Sequence, residues 1–375
     1  MDTALLTTAS QCATVDFQSS TQNWRAASMD KISVVGLDLA KNVFQVHAVN
    51  AQGRVVERKQ LRRSEVLSWF AKIEPCRIGL EACGGMHYWA RKLSELGHTV
   101  RPMAARFIKP YLKSNKSDML DAEAIYEAVQ RPGMRFVSVK SAQQQAVLHL
   151  HHSRRLLVEQ RTALINHIRG MLLEFGIVIA VGPSALRKRL PELLEDTGDE
   201  LPPMCRDLAA VLRDQLSALD ERIALLEHRI QQWHVSNEAS QRLAGIPGVG
   251  VISATAITAA IGDARAFTNG RQFAAWLGLV PRQASSGGRQ RLLGISKRGD
   301  RYLRTLMIHG ARAVIRHLRA RQQAGKPPGN AWIAQLLARC HPNVATVALA
   351  NHNARVAWAL LAKNETYRAR YAAEA

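Results

Sequence analysis

The stretch Val34-Val35-Gly36-Leu37-Asp38-Leu39-Ala40-Lys41 is an apolar run that ends on a single carboxylate. It predicts a strand, Ile32 to Asp38, with the acid at its end. Working outward, Val43 to Val49 and Arg54 to Leu61 also read as strands, and Asn50-Ala51-Gln52-Gly53 as the turn between them. The three form an antiparallel meander. A helix over Ser64 to Ile73 follows, then a strand at Arg77 to Glu81, a helix from Met86 to Leu96 closed by Gly97, and a strand at His98 to Met103.

Three strands in series followed by alternating helix and strand is the order of a ribonuclease H-like α/β fold. In that fold the first and fourth strands are neighbours, so Asp38 and Glu81 are expected to meet at one sheet edge. Asp118 and Asp121, in Lys116-Ser117-Asp118-Met119-Leu120-Asp121-Ala122, sit at i and i+3 on a helix running to about Val129 and share a face. Acids in a first helical turn are also favoured by the helix dipole, with Ser117 as a simple cap. The presence of Asp38 and Glu81 tips the reading toward a site, while Glu123 and Glu127 read as solvated. Carboxylates roughly 5 Å apart repel by about 3 kcal/mol per pair at an effective dielectric near 20. Four together therefore call for a divalent cation, with Mg²⁺ the expected cofactor.

The rest of the chain suggests apparatus for nucleic acid. Its formal charge is +21, from 51 Lys and Arg against 30 Asp and Glu, which favours a polyanionic partner. No apolar stretch approaches the roughly 20 residues that span a bilayer, so no membrane role is expected. Five dispersed cysteines, Cys12, Cys76, Cys83, Cys205 and Cys340, form no Cys-x-x-Cys pair and point to a reducing compartment without a zinc framework. A cytoplasmic, nucleoid-associated location is expected. Residues 1–28, rich in Ser, Thr, Gln and Ala, read as a flexible extension, with Met29 as a candidate working start.

From Val139 to Trp233 the pattern is helical. Leu212, Leu216, Leu219, Ile223, Leu226, Ile230 and Trp233 alternate spacings of four and three, a coiled-coil seam. An earlier helix, Ala142 to Phe175, carries Leu150, Leu157, Leu164 and Met171 at heptad spacing, so the two could pair antiparallel or dimerise. His149, His151 and His152 cannot converge on one ion and read as solvated or phosphate-facing. Gly182-Pro183 and the stretch from Leu190 to Pro203 read as a bend. Ile246-Pro247-Gly248-Val249-Gly250 before a helix Val251 to Ile261 resembles a helix-hairpin-helix, in which Gly248 and Gly250 would let backbone approach a phosphate. The same turn also serves packing alone. Next comes a Gly-rich loop holding Ser285, Ser286, Gly287 and Gly288 among Arg282, Arg289, Arg291, Lys297, Arg298 and Arg301. Guanidinium groups suit a pentavalent phosphorus, and a serine there is either a nucleophile or a simple hydrogen-bonding group. No base is adjacent in sequence.

Together these constellations resemble the insertion-sequence one-ten transposase family, in its eleven-eleven subgroup, from about Met29 onward. The match rests on an acid after Val-Gly-Leu, an acid before Ala-Cys-Gly, Lys-Ser-Asp-x-x-Asp-Ala, Gly-Ile-Pro-Gly-Val-Gly, Gly-Leu-x-Pro-Arg, Ser-Ser-Gly-Gly and Gly-x-Ser-Lys-x-Gly. The resemblance implies a RuvC-like metal site of Asp38, Glu81, Asp118 and Asp121, and a nucleophilic serine at Ser286, with Ser285 the fallback. It implies recombination of donor and target DNA through a phosphoserine link, directed by an element-encoded guide (bridge) RNA, in a homodimer or homotetramer. Asn351-His352-Asn353-Ala354-Arg355 departs from relatives that carry Lys at the His position. The expected plan is a RuvC-like α/β domain (29–138), a helical coiled-coil middle (139–238) and a mainly α C-terminal domain with the serine loop (239–375). A metal-dependent endonuclease and a non-catalytic nucleic-acid-binding protein are the alternatives.

Overall fold

The computed structural model describes residues 31–113, 117–195, 201–327 and 330–368. The predicted extension, Met29, Cys12 and Lys116 lie outside these residues. Two compact units divide the chain, one ending at Phe136 and one beginning at Val137.

In the first unit β1 (Ile32–Asp38), β2 (Val43–Asn50), β3 (Val55–Arg62), α1 (Val66–Phe70), β4 (Arg77–Glu81), α2 (Met86–Glu95), β5 (Thr99–Met103), α3 (Ala105–Ile108) and α4 (Asp118–Val129) follow in order. The strands form one sheet in the order β3-β2-β1-β4-β5. β1 pairs antiparallel with β2 and parallel with β4, as the meander and the crossover predict. Central position explains the composition of β1: Val34, Val35 and Leu37 are all buried, as are Ile78 and Leu80 of β4. Each such side chain contributes about 1.5–3 kcal/mol by leaving water. β3 is different, an outer strand whose Glu57, Arg58 and Lys59 carry charge where an unpaired edge would otherwise invite pairing. The predicted helix over Ser64 to Ile73 shortens to α1, because the chain turns at Lys72 and Ile73 to reach β4.

The second unit contains α5 (Ala142–Leu173), α6 (Pro183–Glu195), α7 (Pro203–Val235), α8 (Glu238–Ala244), α9 (Val251–Ile261), α10 (Gly270–Trp276), β6 (Pro281–Gln283), β7 (Leu292–Ile295), α11 (Arg301–Gln323), α12 (Ala331–Arg339) and α13 (Pro342–Lys363). A capping box at Ser141 and Gln144 starts α5. α5 and α7 run antiparallel, tied by Arg154 to Glu227 and by Arg161 to Asp220 at 3.0 Å. Leu216, Leu219, Ile223 and Ile230 of the predicted seam are buried. Toward the C-terminal end of α5 the buried residues are Ile165, Ile168 and Leu172, one step from the predicted heptad, because α6 as well as α7 packs there. α6 itself corrects the expected bend: Leu186, Leu190 and Leu193 at helical spacing bury one face and outweigh Pro191. The main core of this unit gathers α8 to α13, with Phe273, Leu277 and Leu303 at its centre.

The described cysteines Cys76, Cys83, Cys205 and Cys340 are free. Among the described residues no helix is long and apolar enough to cross a membrane.

Candidate carboxylate site and serine hairpin

Asp38 is the last residue of β1 and Glu81 the last of β4. Their parallel register, through Leu37 beside Leu80, brings both strand ends to the same edge. Two glycines then let α4 lie on bare backbone. A Cβ at Gly36, two residues before Asp38, would stand 2.1 Å from the Ala122 carbonyl and 2.7 Å from the Tyr126 nitrogen. A Cβ at Gly79, two residues before Glu81, would come within 3.0 Å of Ile125 and Val129. Any larger residue would lift the helix and its first-turn acids away.

As built, ligand oxygens of Asp38, Asp118 and Asp121 lie within 4.8 Å of one another. Glu81 stands outside this trio, although its charge reaches Asp38. Burial first, and then the charges of Asp121, Asp118 and Glu81, push the Asp38 carboxyl up to about 6, while a hydrogen bond from the Leu39 backbone acts the other way. The arrangement concentrates like charge that only a cation or a proton relieves. Its donors are all oxygen, which suits a hard divalent ion such as Mg²⁺. Ser117 occupies the cap position of α4, but its side chain makes no cap hydrogen bond. Glu123 and Glu127 are half-buried rather than solvated. Glu123 accepts from Lys113 at 2.7 Å and meets Arg58 at 3.4 Å, and Glu127 pairs with Arg131 at 3.3 Å.

In the second unit the Gly-rich loop is a hairpin. The Arg289 N–H donates to the Ser286 carbonyl at 3.0 Å. Gly287 and Gly288 have φ of 56° and 76°, the two left-handed residues that a type I′ turn requires. Ser286 thus opens the turn at the tip. The Ser285 hydroxyl accepts from the Arg291 N–H at 3.4 Å, whereas no group among the described residues bonds to the Ser286 hydroxyl. Arg282, Arg289, Arg291, Lys297, Arg298 and Arg301 are exposed, and none forms an ion pair among the described residues. They leave the hairpin strongly positive.

Its base is fixed by the surrounding helices. The Ser296 and Lys297 N–H groups donate to Val280 and Gly278, at 2.8 and 3.1 Å. Asn351, from the motif noted near the end of the chain, donates to the Leu279 carbonyl at 3.2 Å. Asn353 does the same for Pro247 at 2.8 Å, holding the predicted helix-hairpin-helix turn between α8 and α9. Within that turn Gly248 approaches protein: its Cβ would meet the Gly310 carbonyl of α11 at 2.7 Å, so the glycine serves packing there. Gly250 caps α9 and faces open space.

His151 corrects the sequence reading. It is fully buried, with Nε2 3.0 Å from the Thr255 hydroxyl and Nδ1 3.1 Å from that of Tyr302. Thr255 already donates to the Val251 carbonyl at 2.7 Å, so Nε2 carries the hydrogen and Nδ1 accepts from Tyr302. The three residues join α5, α9 and α11. Burial, followed by the charges of Arg154 and His152, lowers the His151 imidazole to about 4, keeping it neutral. His149 and His152 are exposed, as expected.

Fold and site define a class of protein in which an acid-bearing α/β unit precedes a helical unit with a basic, serine-tipped hairpin. Residues 35–177 match a transposase family of the IS110 type with the acid pattern DEDD, and residues 240–325 match the transposase IS116/IS110/IS902 family. A probable family 20 transposase of Pseudomonas aeruginosa is 52% identical over 90% of this chain and 99% of its own length. The transposase for insertion sequence element IS1111A of Coxiella burnetii is 41% identical over 92% and 93% of the two chains. That for IS1328 of Yersinia enterocolitica is 38% identical over 90% and 99%. The chain belongs to the IS110 family of insertion-sequence transposases.

Proposed function

We propose that the protein is an RNA-guided DNA recombinase, with a RuvC-like acid unit and Ser286 as nucleophile. The observation that carries this reading is the trio of Asp38, Asp118 and Asp121 within 4.8 Å, joined by the charge of Glu81. With Glu81 as a fourth side chain drawn in, these residues would hold Mg²⁺. The ion would supply neutralisation of charge building on a scissile phosphate. The Ser286 hydroxyl attacks phosphorus, an O–P bond forms, the DNA P–O bond breaks, and the serine proton leaves as the departing oxygen gains one. A free DNA hydroxyl later reverses the exchange, so bond energy is kept and no nucleotide cofactor is needed. Arg282, Arg289, Arg291, Lys297, Arg298 and Arg301 neutralise the phosphate oxygens around the serine. Gly250 and the start of α9 offer a further backbone contact that grips without reading sequence. The DNA partners are a donor and a target, the guide is an element-encoded bridge RNA, and the working form is a homodimer or homotetramer in the nucleoid.

The free Ser286 hydroxyl supports the nucleophile assignment over Ser285, whose oxygen is engaged. It also leaves a second reading open, because no base among the described residues touches Ser286: a metal-dependent nuclease in which water attacks and the hairpin only clamps phosphate. Denaturing gels separate the two. With guide RNA, donor and target, wild-type protein should become covalently attached to DNA. Ser286→Ala should lose the adduct altogether, and Asp38→Ala should lower recombination at least about a thousandfold. Cleavage without any adduct at any time would replace the recombinase by the nuclease.

A further inference from the structure

The sheet edge that carries Asp38 also carries a groove of about 690 Å³, lined by Asn42, Arg62, Arg63, Ser64, Tyr88 and Trp89 among others. We propose that this groove holds single-stranded DNA next to the phosphate presented to the carboxylates. The inference rests on the reading of the acid trio as a DNA-cutting centre.

Topology places the groove there. β1, β3 and β4 all run toward one edge, so Arg62 at the end of β3, Asn42 just before β2 and Asp38 at the end of β1 share it. Register divides the two arginines. Asp38 stands beside Gln45, Gln45 beside Gln60, and Arg62 two residues further along β3, on the face of Asp38. Arg63 is on the other face, with its guanidinium 5.0 Å over the Trp89 ring and donating to the Lys41 carbonyl at 3.3 Å. The groove therefore wraps over the edge toward the acid face. Two strand spacings, about 10 Å, separate β1 from β3, a gap that a short run of extended DNA covers.

The lining has the chemistry for such a strand. Arg63 is locked by its two contacts. The exposed Arg62 side chain makes no hydrogen bond or ion pair among the described residues, and Glu65 is turned to the Arg62 backbone N–H at 2.7 Å. Tyr88 is 41% exposed and stands at 82° to Trp89, with ring centres 5.2 Å apart, so the ring is braced by Trp89 while much of it is open to solvent. A free guanidinium beside an exposed, braced aromatic ring is the pairing that holds a strand without reading its sequence. Charge complementarity favours a nucleic acid over a peptide, and adjacency to the acids favours the DNA being cut.

The test uses the full chain and an oligothymidylate bearing 5-iodouracil. Irradiation should cross-link it at Tyr88. Tyr88→Ala should weaken binding about tenfold, Tyr88→Phe should restore it, and Arg62→Ala should lower the salt slope by about one. Affinities and slopes unchanged in Tyr88→Ala and Arg62→Ala, or cross-links that map elsewhere, overturn the proposal even if the Ser286 adduct forms. An oligouridylate that cross-links at Tyr88 more strongly than the DNA probe overturns the DNA assignment. Cross-linking at Tyr88 in a protein that never cuts DNA would leave the groove standing and remove the recombinase reading.

Discussion

The carboxylate site and the serine hairpin are built on opposite principles. Asp38 and the α4 acids meet because backbone is pressed on backbone at Gly36, inside a buried sheet. The hairpin from Pro281 to Gly294 is exposed at every residue, and only turn chemistry at Gly287 and Gly288 with its hydrogen-bonded base gives it shape. Like charges need an enforced geometry to stay close, whereas a group that must reach a phosphate gains from projecting into solvent. The acid site should therefore fail through packing and the hairpin through local chemistry.

The largest effect should come from Gly36→Val. Its side chain would begin 2.1 Å from the Ala122 carbonyl, so α4 must move. A loss of about 3 kcal/mol or more in chemical unfolding is expected, with loss of Mg²⁺ binding by calorimetry. A stable variant that still binds the ion would break the contrast.

Next is acid sensitivity in the frame that supports the hairpin. His151 is lowered from 6.5 to about 4, so the unfolded chain takes up the proton first as pH falls. Its contribution is complete above about pH 6.5 and is lost toward pH 4, about 3 kcal/mol in all. Denaturant unfolding of wild type against His151→Leu across that window isolates it. Equal pH slopes in the two proteins would remove the assignment.

The smallest effects on stability belong to the hairpin. Gly288→Val forces a left-handed φ of 76° on a β-branched residue. It should cost about 1 kcal/mol or less, because the turn can open to solvent, yet cut DNA adduct formation at least about tenfold. Ser285→Ala removes one exposed 3.4 Å contact. It should change stability by under about 0.5 kcal/mol and keep the adduct. Thermal melts beside adduct gels measure both. A large drop in melting temperature for Gly288→Val would show that the hairpin is packed after all.

Legibility followed the same divide. β1, β4, α4 and α9 stand at their predicted residues: apolar runs mark β1 and α9, and polar or charged residues at the ends bound β4 and α4. The strand order pointed to Asp38 with Glu81, and the i, i+3 spacing of Asp118 and Asp121 on one helix face added the other two acids. Glu81 is adjacent but less tightly gathered, a difference of side-chain reach that strand order does not carry. The glycine two residues before each strand-end acid was a visible signal for α4, yet its meaning depends on a helix that arrives later in the chain. Ser-Ser-Gly-Gly carries the double-glycine mark of a type I′ turn, hidden by the absence of long flanking strands. His151 misled because its neighbours are polar. The informative residue lay four positions back, at buried Val147 on the same helical face. α6 was obscured by two prolines, although Leu186, Leu190 and Leu193 gave its period.

The crossing of Gly248 and Gly310 has its own consequence. A Cβ added to Gly310 would strike the Gly248 carbonyl, and one on Gly248 would strike that of Gly310 before it met the Val314 side chain, so main chain is the first obstacle at each. Trimming a neighbouring residue cannot make room for either. In a saturation library both positions should tolerate nothing but glycine, and a hunt for suppressors elsewhere should return only true revertants.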